Sequence, residues 1–177
     1  MIDAIDSLER RLTALRSDFD RSFGEPFAAP AAEPAELLAI TLGGDPYAIR
    51  VRELRGVHAH QVVTTLPTAA PDLVGLAAIR GELVAVYDLA ALLGYTRCPA
   101  PRHVLLSRTT GLGFAFDSSS RHLRMPQAAI TTRPESSAAW LTEVVREADF
   151  ARPIIELAAV CAAVEARIRS EVTEENR

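Results

Sequence analysis

The sequence predicts a mainly β fold, built as small barrels or a sandwich. Short apolar runs recur along residues 37–157, and turn signals separate them about every eight to twelve residues. Helical spacing is confined to the two ends and one short internal stretch. Two hairpin blocks flank residues 88–101, which suggests two β subdomains bridged by short helices.

Residues 2–23 have the spacing of an amphipathic helix. Ile5, Leu8, Leu12, Leu15 and Phe19 follow one another at alternating intervals of three and four, the seam of a short coiled coil. A lone helix of this length is marginal in water, so its stripe must pack on the domain, on a second copy or on another protein. Residues 24–36 form a linker, because Pro26, Pro30 and Pro34 block helix continuation. Leu37–Leu42 and Tyr47–Val51 are expected strands around the turn residues Gly43, Gly44, Asp45 and Pro46. Gly56–Val63 reads as a third strand carrying His58 and His60 on one side, followed by a rigid corner at Leu66–Pro71.

Leu73–Ile79 and Leu83–Tyr87 are strands joined by the tight turn Arg80-Gly81-Glu82. Asp88 is placed to cap a short helix that ends at Gly94. Residues 95–101 make a second joint. His103–Ser107 and Leu112–Phe116 form another hairpin, and Trp140–Val145 and Pro153–Leu157 are further strands. A helix over 158–170 follows, with Leu157, Val160, Cys161, Val164 and Ile168 on one face, and 171–177 is a polar, frayed tail.

Composition excludes several classes. The chain has 177 residues, the size of one domain or two small intertwined units. Its 49% hydrophobic content argues against disorder throughout, and no run is long enough to span a bilayer. Charges interleaved in the first twenty residues argue against a secretory signal. A net charge of −4 gives no basic field for nucleic acid or an anionic membrane. All 19 basic residues are Arg, which reflects either genome composition or a choice of bidentate pairing. Cys98 and Cys161 lack metal-ligand spacing and read as reduced thiols in a cytosol.

Each reactive constellation is incomplete. His58 and His60 could supply two metal ligands, but no third has a clear position. Gly111-Leu112-Gly113 sits in a hairpin turn with no Walker lysine, and Ser118-Ser119-Ser120 lacks a nucleophile elbow. No carboxylate pair stands out for acid–base work. The expectation is a binding module with no catalytic residue, no metal and no cofactor.

Read as a whole, residues 36–165 resemble the CheW-like domain, the adaptor of bacterial chemosensory signalling. The ordered segment Leu66–Gly94 carries the likeness: a Leu-Pro corner, a Gly before an apolar strand, Arg80-Gly81, a second apolar strand, then Asp88-Leu89 and a small helix. The resemblance implies two small SH3-like five-stranded β-barrels sharing a core, within a domain over 37–170. It implies a cytoplasmic, non-catalytic role, coupling a chemoreceptor's helical hairpin tip to a histidine kinase through the kinase's own CheW-like regulatory domain. Physically this is apolar edge packing plus helix-in-groove recognition.

On that basis Val51, Leu54 and Val57, with Gly56, form the kinase-facing apolar edge. Arg80 and the strand ends around Asp117 and Ser118 line the region between the barrels. Arg80 can brace its turn or contact a partner, whereas Tyr47, Gly81 and Asp88 also match the pattern and read as packing, turn and cap. Departures at Gly56 and Ser118-Ser119, together with the extra helix, support a second reading. In it a divergent scaffold has lost one standard partner and uses residues 2–23 to recruit another protein or a second copy.

Overall fold

The computed structural model describes residues 33–67, 70–97, 101–133, 139–147 and 150–175. The expected N-terminal helix, most of the linker and Cys98 lie outside the described residues. The unit described begins at Pro34. Its eleven strands are β1 (Ala35–Leu42), β2 (Asp45–Arg50), β3 (Leu54–Ala59), β4 (Leu73–Ile79), β5 (Glu82–Asp88), β6 (His103–Ser107), β7 (Gly113–Phe116), β8 (Ser118–Met125), β9 (Ile130–Thr132), β10 (Glu143–Arg146) and β11 (Ala151–Ile155). Two α-helices, α1 (Leu89–Leu92) and α2 (Leu157–Glu175), join a 3-10 turn at Val51–Glu53 and another at Gln127–Ala129.

The strands form two sheets. One has six strands in the order β8-β1-β2-β11-β10-β9, the other five in the order β3-β6-β7-β5-β4. This corrects the division expected from the two hairpin blocks, because each sheet takes strands from both. The five-stranded sheet draws β3, β4 and β5 from before the second joint and β6 and β7 from after it. The exchange is made by two parallel pairings, β5 with β7 and β11 with β2, and by two antiparallel ones between strands far apart in the chain, β3 with β6 and β1 with β8, none of which leaves a hairpin signal in the sequence.

Side-chain alternation then builds three cores. Val74, Ala77, Ile79, Val84, Val86, Val104, Leu106 and Ala115 fill the five-stranded unit. Leu37, Ala39, Ala48, Leu123, Val145 and Ile154 fill the six-stranded one. The opposite faces supply a shared core in which Ile40, Leu42 and Ile49 meet Leu105, Phe114, Phe116 and Tyr87, joined by Leu157, Val160, Cys161 and Val164 of α2. His103–Ser107 and Gly113–Phe116 are nearly continuous in apolar residues for this reason, since both of their faces are buried.

Local chemistry explains several ends. Asp88 is fully buried, and its carboxylate accepts from the Ala91 N–H at 3.0 Å, the expected cap of α1. The β1–β2 turn passes Gly43 at φ +59° beneath the Tyr95 ring, where a Cβ would lie 2.3 Å from Cδ1. The Tyr95 hydroxyl donates to Asp45 Oδ2 at 2.5 Å and lies 2.8 Å from the Tyr47 hydroxyl. These bonds, that to Asp45 first, push the Tyr95 phenol well above its ordinary range.

Four expectations change. β1 begins at Ala35, inside the expected linker. The third strand ends at Ala59, because His60 takes a left-handed turn (φ 54°) and donates its N–H to the Arg102 carbonyl; His58 and His60 therefore do not share one strand face. The polar run 118–125 is a strand that the apolar-periodicity rule does not reveal. Helix α2 continues to Glu175, past the point where a frayed tail was expected, while Ile168 on its apolar stripe is exposed.

Candidate functional site

Segment 51–57 leaves β2 as a 3-10 turn and enters β3, an outer strand of the five-stranded sheet. Val57 lies opposite Leu105, on the face that packs the shared core, but at the open margin, where it is 40% exposed. Leu54 differs from expectation. It is buried in the shared core, so it shapes the edge from beneath and presents no side chain to a partner. Val51 is half-buried in the 3-10 turn. Gly56 faces the inside of its barrel opposite Leu106, and the absent side chain leaves room for His58, whose Nε2 would lie 3.3 Å from a Cβ there. That Nε2 is buried without a hydrogen-bond partner.

Three sets of bonds to remote residues hold this segment. Arg108, in the β6–β7 turn, donates its main-chain N–H to the Glu53 carbonyl, Nε to the Arg52 carbonyl and Nη2 to the Leu54 carbonyl, each at 2.9 Å. Arg55 sits at the β-bulge of β3 and makes a bidentate pair with Glu82 across the barrel mouth, at 2.6 and 2.9 Å. Glu53 Oε2 accepts from the Leu157 N–H at 2.7 Å. Helix α2 is preceded by Glu156 and lacks a Ser, Thr, Asp or Asn cap of its own, so a side chain 104 residues away satisfies its first donor.

Burial raises the Glu53 carboxyl pKa above the ordinary 4.5, against the lowering effect of the Leu157 and Ala158 N–H groups. The folded protein therefore holds this proton to higher pH than the unfolded chain does. Between pH 4.5 and the raised folded value, stability from this group falls as pH rises. Glu53→Gln keeps an acceptor for Leu157 and is expected to flatten that fall. Urea midpoints of both proteins across the interval read it, and parallel curves would refute it.

The remaining expected residues do not form one site. Arg80, at φ 53° in the β4–β5 turn, is exposed and lies at the Glu82 end of the sheet, near Arg55. Asp88 is level with Ala115, eight residues beyond Arg80, and Asp117 lies two residues further on. Roughly 30 Å of strand thus separates Arg80 from Asp117. Asp117 and Ser118 are exposed at the opposite end, where His103 Nδ1 lies 3.1 Å from the Asp117 carbonyl. Arg80 joins the 51–57 edge; Asp117 and Ser118 do not. The expected interface of Ile5, Leu8, Leu12, Leu15 and Phe19 lies outside the described residues.

Sequence reasoning missed Arg108 and Glu53, whose contacts span more than 50 residues and carry no local motif. It also missed Val62 and Leu83, each 78% exposed on the five-stranded unit. Leu83 reads as core within an apolar strand, but it lies beyond the part of its sheet that the shared core covers. A polar cavity of about 340 Å³ beside the segment is lined by Arg50, Arg52, Glu53, Thr132, Glu143 and Glu156. Arg50 and Glu143 neutralise each other there at 2.5 Å. Among the described residues no group of three metal-ligating side chains occurs, and no helix is long and apolar enough to cross a membrane.

Comparison with known proteins matches this architecture. The sequence model of the CheW-like domain matches residues 36–164, a span that takes in both sheets and the start of α2. A relative described as a probable chemotaxis protein CheW, from Rhizobium etli, is 27% identical over 126 residues, covering 69% of this chain and 77% of its own. The crystal structure of a CheW scaffolding protein from Thermoanaerobacter tengcongensis superposes with a TM-score of 0.63 at 16% identity, covering 70% of this chain and 89% of the other. At that identity the superposition speaks for the fold.

Proposed function

The chain belongs to the CheW-like domain family, and from that premise we propose that it is a cytoplasmic, non-enzymatic adaptor of a chemosensory pathway. It couples chemoreceptors to a histidine kinase by docking alone. The observation that carries this reading is the span of the family match, which covers both barrels and their shared core. In this reading the kinase's regulatory domain packs on the edge formed by Val51 and Val57 beside Arg80, over the buried Leu54. The receptor's helical tip lies along the margin between the barrels. Affinity comes from a few aliphatic contacts in a rigid frame, as at other small interfaces.

Val57→Asp is expected to weaken binding of the cognate kinase's regulatory domain at least about tenfold, because it places a charge in a desolvated contact. The half-exposed position should leave the unfolding midpoint close to that of the parent protein. Titration calorimetry and urea unfolding read the two effects separately. Failure of the unaltered chain to co-elute with that domain at about 50 µM, a weak-affinity limit, would sink the kinase half of the reading.

A further inference from the structure

We infer that Arg108 is a positioning residue for the docking edge: its guanidinium, reaching from the β6–β7 turn, fixes the backbone of 52–54 in the shape that presents Val51 and Val57. This rests on the adaptor reading above and goes beyond it, since Arg108 belongs to no expected contact. The geometry is specific. A 3-10 turn leads straight into a bulged strand start, where Leu54 pairs with Ser107 and the register shifts before Gly56. Arg108 meets the carbonyls of three successive residues, with its main-chain N–H on Glu53 and its side chain on Arg52 and Leu54.

Only a planar guanidinium offers two donors in the fork that spans carbonyls two residues apart. A lysine ammonium is a point donor and can hold one of them well. No carboxylate competes for the Arg108 side chain among the ion pairs of the described residues. The other two supports of the segment, Glu53 on α2 and Arg55 on Glu82, reach outward from it. Arg108 is the group that reaches in. Pre-organisation of this kind lowers the ordering cost of binding without adding a contact to the interface.

The test compares the full chain with Arg108→Ala and Arg108→Lys. Amide exchange is measured on each protein alone, and affinity for the kinase's regulatory domain is measured separately. Arg108→Ala is expected to speed exchange at Leu54–Val57 about tenfold and to weaken the domain's binding by a similar factor, with Arg108→Lys recovering part of both. A role in general stability would move exchange throughout the cores, and partial rescue by Lys confined to 54–57 would not follow from it. Unchanged exchange at 54–57 overturns the inference. Faster exchange there with unchanged affinity also overturns it, and leaves the adaptor reading standing. If the unaltered chain does not bind the domain, the adaptor reading fails and the docking role falls with it. The exchange data are obtained without a partner, so the two failures are distinguishable. Should Arg108→Ala not fold, Arg108→Lys alone carries the same comparison.

Discussion

Gly75→Ala is expected to remove at least ~3 kcal/mol of folding stability, the largest effect of any single methyl group in the described residues. Gly75 adopts φ +151°, a conformation costly for any L side chain, at the bulge where β4 meets β5. A Cβ there would lie 2.0 Å from the Thr64 carbonyl oxygen. That oxygen accepts from the Leu76 N–H at 2.8 Å, and the Thr64 N–H returns a bond to Leu76 at the same distance. This bridge is where the chain, after turning at His60, comes back to pair with β4 and close the five-stranded barrel. The methyl group must push away the backbone that closes the barrel, and a main-chain atom cannot swing aside as a flexible side chain does. For a domain whose whole stability is on the order of 5–15 kcal/mol, such a loss is a large fraction. Urea unfolding and amide exchange at Thr64 and Leu76 measure it. A loss below about 1 kcal/mol would mean that the Thr64 bridge contributes little to closure.

Gly75 also shows how far the sequence could be read. Its place in an ordered motif, a glycine before an apolar strand, was legible, and so were the strands around it. The reason for the glycine was not, because its neighbour is Thr64, eleven residues back across a corner. The same split recurs elsewhere. Hairpins with local turns, β1–β2, β4–β5 and β6–β7, were legible because pairing partners are adjacent in sequence. The exchange of strands between sheets was not, because parallel pairs such as Val86 with Gly113 carry no turn signature. Strand β8 escaped because its residues are polar and only Leu123 is buried within it among those described.

The docking edge followed the same logic. Val57 was legible as an apolar residue on a strand. Whether an apolar residue is core or contact depends on what lies over its sheet, and that is set by helix α2, a hundred residues later. Leu54 and Val57 therefore read alike in sequence and part company in the fold, one buried and one half-exposed. Arg80 and Asp117 were grouped by motif, and strand direction places them at opposite ends of one sheet.

Glu147→Ala tests the other barrel, and here burial decides the size of the effect. Glu147 follows β10 and is 11% exposed, with Arg121 of β8 on one carboxylate oxygen and Arg152 Nε of β11 on the other, the latter at 2.5 Å. The three side chains link β8, β10 and β11 beside the core of Leu123, Val145 and Ile154. Arg152 is itself buried, and among the described residues its other contact is the Phe150 ring, 4.6 Å from the guanidinium carbon. Removing the carboxylate leaves a buried cation without its counter-charge, for which the expected cost is ~3–5 kcal/mol. The pair as such is worth less than that figure, because its desolvation offsets its attraction. Replacing both partners, Glu147→Leu with Arg152→Leu, should therefore recover most of the loss. Arg55 and Glu82 provide the contrast: they are bidentate but exposed, and Glu82→Ala is expected to change stability little at physiological salt. Urea unfolding of the single and double variants gives the coupling directly. If Glu147→Ala costs no more than Glu82→Ala, the Arg121–Glu147–Arg152 cluster is a solvated surface network, and the six-stranded barrel owes its closure to the apolar core alone.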